Sequence, residues 1–350
     1  MNKLSVVKAR GVLAVILLLC ALVITQVNWR ENAAPDDDFA RLLAQLEASL
    51  GAAHSEINPK SAAFTHRAAQ TFLPRPRFVP PAAEDIARLS CFDYLTRNIF
   101  LVDRYAKLFE TDVNVAEFLA MCQRLDLSGG QEAPSGGPQV LIFHAHSREM
   151  FADSDPYNLM TGVVGVGHYL AEILARDHGL EVKHYIRQFD VVDGRPLRDG
   201  AYERLEPVIT QILADNPSIQ LVIDLHRDGL EDHVPPPVTY INGQRTARIM
   251  FVNGLSRRYR NGVVTTMTHL PNPYQRENLA FTLHLQLAAN QMYPGFARRA
   301  YLLPFRYSLH MAPKSILLEV GAQNNTLQEA LNAMPHIANV IAAVVLAEYS

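Results

Sequence analysis

The sequence predicts an α/β fold, with a single central sheet flanked by helices. Two observations carry that prediction. From Gln139 onward, short apolar runs alternate with longer stretches of helical periodicity, the pattern of a sheet covered on both faces. Three of the apolar runs also stop abruptly at side chains able to do chemistry. Val140–Phe143 runs into His144, His146 and Glu149; Leu221–Leu225 contains Asp224 and runs into His226, Arg227 and Asp228; Ile316–Leu318 runs into Glu319. Open α/β sheets keep their sites at one rim, where parallel strands end, so the three clusters are expected to meet there.

Taken in order, Val140–Phe143 reads as a strand, residues 165–177 as a helix, 181–185 as a strand and 202–215 as a helix. Strands follow at 219–225 and 248–252, then a long helix at 279–293, a strand at 316–319 and a final helix at 326–348. No internal repeat is visible. Ahead of this domain, Ser128–Pro138 is rich in Gly, Ser and Pro and reads as a linker. Residues 82–127 carry Ile86, Leu89, Phe92, Leu95, Ile99 and Leu101 at helical spacing, and then Val115, Phe118, Leu119 and Met121. Two or three helices forming a small cap or partner-binding segment are expected there. Residues 31–81, opened by Asp36-Asp37-Asp38 and closed by Pro74, Pro76, Pro80 and Pro81, read as a tether with one short amphipathic run.

At 350 residues and 49% apolar content the chain can bury a large core, and a formal charge of −3 gives no footprint for nucleic acid. Three cysteines are too few for a disulfide scaffold or a zinc finger. Cys20 lies in the apolar N-terminal stretch, while Cys91 and Cys122 could pair in an oxidising compartment or remain thiols.

Lys3, Lys8 and Arg10 precede an apolar stretch from Gly11 to Thr25 that fades by Trp29 and Arg30. With Gln26 and Val27 it approaches the ~20 residues that cross a bilayer. The basic flank predicts that the N-terminus stays in the cytoplasm and the rest is exported. A cleavable signal peptide is the competing reading, but its small-residue cleavage site is missing after the apolar run. Residues 1–30 are therefore expected to be a transmembrane anchor.

The strand-end residues suggest a metal centre. His146 and Glu149 stand at i and i+3, which on a turn leaving a strand can bring both onto one ion, and His226 is the natural third ligand. Asp224, on the same strand face as His226, or Asp228 just beyond, could accept from the far nitrogen of that imidazole. His144 could be a ligand or could support one. Glu319, followed by Gly321, is the expected general base, since a carboxylate beside a metal can take a proton from water and return it to a leaving amine. Arg227 could bind a substrate carboxylate or pair with Glu149 or Asp228. His310 precedes the last strand closely enough to approach the site, whereas His168, His178, His184, His284 and His336 read as surface or core. Ser147 lacks the Gly-x-Ser-x-Gly setting of a nucleophile elbow. Two imidazoles and a carboxylate with a spare acid is the minimum equipment for zinc-assisted amide hydrolysis.

Val140–Glu149, Asn216-Pro217 through Asp228, Tyr293-Pro-Gly295 and Leu317–Glu329 together resemble the stage II sporulation protein P family of cell-wall hydrolases. The resemblance runs in order over residues 139–345, and more loosely over 90–127. It implies a zinc-amidase-like fold and a zinc-dependent N-acetylmuramoyl-L-alanine amidase, with cleavage of peptide cross-links as a further activity. It also implies a membrane-anchored protein acting on peptidoglycan outside the cytoplasmic membrane. By the same resemblance His146, Glu149 and His226 would hold zinc and Glu319 would be the base; the family motif contains both His144 and His146. One stretch departs from the family, where Tyr307-Ser-Leu-His310 replaces a Tyr-Asn-Gln-Asp-like sequence. The rivals are a zinc carboxypeptidase of wall peptides and a non-catalytic wall-binding module. Residues 82–127 offer a surface for protein regulators or partner hydrolases.

Overall fold

A strand buried on both faces needs apolar side chains at every position rather than at alternate ones. Val140-Leu-Ile-Phe143 meets that demand, and all four residues are buried in the computed structural model, which describes residues 78–127 and 137–346. The described chain runs α1 (Ala83–Leu89), α2 (Phe92–Asn98), β1 (Phe100–Val102), α3 (Val115–Ala120), β2 (Val140–Phe143), α4 (Val163–His178) and β3 (Val182–His184). Then come β4 (Val191–Val192), β5 (Arg195–Pro196), α5 (Ala201–Asp215), β6 (Leu221–Asp228), β7 (Val238–Ile241), β8 (Gln244–Ala247) and β9 (Ile249–Gly254). The last elements are β10 (Arg257–Arg260), β11 (Val263–Thr266), α6 (Gln275–Met292), β12 (Ala300–Leu303), β13 (Ser315–Ala322) and α7 (Leu327–Val345).

Seven strands form one mixed sheet in the order β1-β12-β9-β13-β6-β2-β3, and every neighbouring pair is parallel except β13 with β9. The three strands singled out by their endings, β13, β6 and β2, are adjacent and parallel. Their register sets Glu319 beside His226 and Phe143 beside Asp224. Alternation along the strands then sorts the faces. Ile142, Ile223 and Leu318 join the large core beneath α4, α6 and α7, while Leu141, Phe143 and Val222 pack with Leu205 and Ile209 of α5 on the other side.

Local chemistry fixes the helix ends. At α7 the Thr326 hydroxyl accepts from the Glu329 N–H while the Glu329 carboxylate accepts from the Thr326 N–H, a reciprocal cap. At the end of α4, Gly179 takes a left-handed conformation (φ 67°) that closes the last turn.

Several elements differ from the sequence expectation. Strand β6 continues beyond the expected 225 through His226 to Asp228, and β13 beyond Glu319 to Ala322. Leu101, expected on the helical spacing, belongs instead to strand β1, while Ile99 caps α2; β1 pairs with β12, a strand the sequence did not signal. The apolar residues of α1–α3, including Leu89, Leu95 and Phe118, lie in the same core as the sheet. Three small hairpins, β4–β5, β7–β8 and β10–β11, were also unforeseen. Cys91 and Cys122 are exposed free thiols. The expected anchor, nearly all of the tether and most of the linker lie outside the described residues. Among the described residues no helix is long and apolar enough to cross a membrane.

Candidate metal centre

The turn leaving β2 carries His146 and Glu149, and it is built to hold them. The Glu149 N–H donates to the His146 carbonyl (3.2 Å), closing the turn. The buried carboxylate of Asp190 pins its outer edge, accepting from the Ser147 hydroxyl (2.7 Å) and the Arg148 N–H (2.9 Å). Ser147 is thus a tie to the neighbouring loop.

Across the rim, His226 projects from β6 into the same space. Nitrogen and carboxylate atoms of His146, Glu149 and His226 all lie within 4.8 Å of one another. His226 Nδ1 is 3.1 Å from Glu149 Oε2, and its Nε2–H donates to Asp224 Oδ1 at 2.7 Å. His146 Nδ1 stands 3.7 Å from Glu149 Oε1 and has no hydrogen-bond partner among the described residues. A buried, unpartnered ring nitrogen aimed at a carboxylate and a second imidazole is the polarity a cation would complete. The donor set therefore fits a zinc ion. The Asp224 contact holds the far side of the His226 ring, so that Nδ1 faces the shared space.

The electrostatics point the same way. Burial works against charge on His226, but Asp224 and Glu149 on either side overcome it and hold its pKa well above the usual value. Burial alone would raise Glu149, yet the charge and hydrogen bond of His226, followed by Arg198 and Arg227, bring it well below the usual carboxylate range. Asp224 is lowered too: burial opposes this, but His226, the Ala145 N–H and the Ser308 hydroxyl outweigh it. The pocket therefore prefers a positive charge between its two acids, supplied by a proton when no metal is bound. His146 behaves oppositely. Burial, with the charge on His226, lowers its pKa to about 4 and keeps it neutral, as ligation requires.

Glu319 sits beside His226 in the sheet, and its Oε2 is buried without a hydrogen-bond partner among the described residues. Burial is the main cause that raises its pKa to about 8; His226 opposes the shift, while Glu149, Asp228 and Asp224 add to it. A carboxylate that exchanges its proton near neutral pH is suited to general acid–base work.

The other sequence candidates take different places. His144 points to the opposite face: its Nδ1–H donates to the Leu225 carbonyl (2.7 Å), and its Nε2 accepts from His184 Nε2 (2.9 Å). Arg227 donates through its backbone N–H to Glu149 Oε2 (3.0 Å), and its guanidinium donates to the carbonyls of Met150 and Asp228. Of the two acids that could support His226, Asp224 makes the contact, whereas Asp228 pairs with Arg298 at 2.6 Å. His310 is in the nearby loop and faces Glu206 (3.2 Å).

Four neighbours had escaped the sequence reading. Arg198, its side chain 59% exposed, reaches back to Glu149 Oε1 at 2.5 Å. Asp190 and Ser308 hold the loops around the site. Tyr202, near the start of α5, sets its ring against His146 (centroids 5.6 Å apart). All four come from loops or helix starts without periodicity. For Ser308 alone a signal existed, in the departure at Tyr307–His310.

Comparison with known proteins gives a family match. The model of stage II sporulation protein P matches residues 104–342. Stage II sporulation protein P of Bacillus subtilis (strain 168) is 26% identical over 145 residues, covering 40% of this chain and 32% of that protein. The match thus spans about a third of the length of the curated relative. Among solved structures, N-acetylmuramoyl-L-alanine amidase AmiC2 of Nostoc punctiforme is 15% identical, with 60% of this chain and 97% of that one covered and a TM-score of 0.33. An N-acetylmuramoyl-L-alanine amidase from Clostridium difficile 630 is also 15% identical, covering 59% and 96% with a TM-score of 0.34.

Proposed function

Because this chain belongs to the stage II sporulation protein P family, we propose that it is a zinc-dependent peptidoglycan amidase. The bond cleaved is the amide between N-acetylmuramic acid and the L-alanine of the stem peptide, with peptide cross-links as a second target. The observation that carries the reading is the meeting of His146, Glu149 and His226 at the rim where Glu319, on β13, pairs with His226.

In this reading His146, Glu149 and His226 would hold the metal. When bound, zinc supplies Lewis acidity toward the amide carbonyl and toward a water molecule. Glu319 accepts the proton of the attacking water at its carboxylate and delivers it to the leaving nitrogen. Asp224 keeps the His226 ring oriented throughout. Arg227, whose guanidinium is held by backbone carbonyls, is assigned to steadying Glu149 and the adjoining turn. The basic flank and apolar stretch of residues 1–30 support anchoring in the cell membrane with the catalytic unit outside the cytoplasmic membrane.

The test is mass spectrometry of purified sacculi incubated with the zinc-loaded full chain. Free stem peptides beginning with L-alanine, together with peptide-free glycan, are expected. Release of single terminal amino acids with the glycan–peptide bond intact would replace the amidase with a carboxypeptidase. An undigested wall would leave a binding module.

A further inference from the structure

A row of aromatic rings leads from the metal centre to the surface. Tyr202 lies 5.6 Å from His146 between ring centroids, Tyr307 lies 5.6 Å from Tyr202, and Phe305 lies 6.4 Å from Tyr307. Tyr202 and Tyr307 are part-buried, Phe305 is 38% exposed, and exposed Arg258 sets its guanidinium over the Phe305 ring at 5.6 Å. The row is rigidly indexed to the metal ligands. Ser308, next to Tyr307, donates its hydroxyl to Asp224, the carboxylate that holds His226. Beneath Phe305, Gly254 at the end of β9 leaves room for the chain, since a Cβ there would collide with the Phe305 carbonyl. Tyr307 itself takes a left-handed backbone conformation (φ 52°), rare for a bulky residue and sustained only where the surroundings over-determine it.

We infer that the Tyr202–Tyr307–Phe305 wall, with Arg258 at its outer end, is the subsite for the sugar ring next to the scissile amide. This rests on the amidase reading above. A pyranose offers a flat face of C–H groups ringed by hydroxyls and, in amino sugars, an acyl amide. Tyr202, Tyr307 and Phe305 meet edge to face (interplanar angles 72° and 83°), so the exposed Phe305 ring, with its apolar face and negative quadrupole, is the one that meets the sugar face, and the guanidinium over it donates to the polar edge. A stem peptide is instead rich in carboxylates and calls for cations. Of the guanidinium groups near the ligands, Arg198 is bound to Glu149, Arg227 to carbonyls, and Arg148 to the Pro156 carbonyl at 3.4 Å.

The test uses the full chain and two soluble substrates with the same peptide, one a disaccharide muropeptide and the other a lactyl-peptide without sugar. In Phe305→Ala, KM for the muropeptide is expected to rise about tenfold with little change in kcat. The ratio of kcat/KM between the two substrates then falls by the same factor, and Phe305→Trp restores it. An equal effect on both substrates, or none on either, overturns the subsite. Should the parent protein cleave neither, the amidase reading fails by itself, and binding decides the subsite. Saturation-transfer NMR with the free disaccharide must then give signals that Phe305→Ala abolishes; silence in the parent protein overturns the proposal. Phe305-dependent signals from the free stem peptide, with none from the sugar, would also overturn it.

Discussion

Asp224 donates nothing and receives from three directions. Its Oδ1 accepts His226 Nε2–H at 2.7 Å and the Ala145 N–H at 3.0 Å, and its Oδ2 accepts the Ser308 hydroxyl at 2.8 Å. One buried carboxylate thus ties together the exit of β2, the end of β6 and the loop before β13. In Asp224→Asn the charge behind His226 is lost: either the new NH2 faces the His226 Nε2–H and the Ala145 N–H, or it turns to Ser308, whose hydroxyl can accept, and leaves the imidazole only a neutral acceptor. Zinc affinity is expected to fall about 10- to 100-fold, measured by competition with a chromophoric chelator. Unchanged affinity would strip Asp224 of its role in orienting His226.

Glu319 is tested by an isosteric change. Glutamine fills the same space beside His226 but cannot accept a proton from water. Zinc content of Glu319→Gln should match the parent, while release of stem peptide should fall by at least about a hundredfold. Wild-type turnover in that variant would leave the proposed reaction without its base.

The ends of β2, β6 and β13 were legible in the sequence for a physical reason. Strands buried on both faces read as unbroken apolar runs, and a charged or imidazole side chain can follow only where the strand reaches the rim. Residues from helix starts and loops carry no such mark. Nothing near Arg198 or Asp190 predicts that they reach Glu149 and Ser147, because those contacts are made by the tertiary fold. Strand β1 reads as part of a helix because Ile99, Phe100 and Leu101 form an apolar cluster too short for its period to be resolved. His184 reads as surface or core, and the structure places it, part-buried, against His144.

Helix α4 offers a contest of known magnitudes. Replacing a mid-helix glycine by alanine ordinarily gains about 1 kcal/mol. At Gly167, however, a Cβ would lie 2.7 Å from His144 Cε1 and 2.8 Å from His144 Nε2. Overpacking typically costs about 1–3 kcal/mol, so Gly167→Ala should be destabilising by roughly 1 kcal/mol net in urea titration. Gly165→Ala should be worse, because its Cβ would collide with the Met160 backbone carbonyl, which cannot rotate aside. A stabilised Gly167→Ala would mean that His144 is free to move.

Acid should weaken the fold through histidines held neutral away from the ligands. Burial lowers His336 to about 4, where its ring packs against Tyr293 at 4.7 Å. Burial, followed by the neighbouring His144 and His168, lowers His184 to about 3. Both lie below the ordinary 6.5, so the unfolded chain binds more protons between about 6.5 and 3–4. This contribution is present above pH 6.5 and is lost as pH falls through that window. Between pH 7.5 and 5 each histidine should cost about 1–2 kcal/mol. His336→Leu should flatten the dependence of the urea midpoint on pH; a slope equal to the parent's would exonerate His336.

His144 and His146 stand two residues apart, and geometry assigns them opposite roles that substitution can separate. The His146 ring turns toward Glu149 and His226 with a bare nitrogen, so His146→Ala should bind no stoichiometric zinc while the fold persists. His144 is spent on the other face of the sheet, donating to the Leu225 carbonyl and receiving from His184. His144→Ala leaves both partners unsatisfied beside a cavity, which should cost about 2–4 kcal/mol of stability. Its zinc content should nevertheless remain near one per chain, read by metal analysis after dialysis. Loss of zinc from His144→Ala, with retention in His146→Ala, would exchange the two assignments and require the turn after β2 to be rebuilt around the metal.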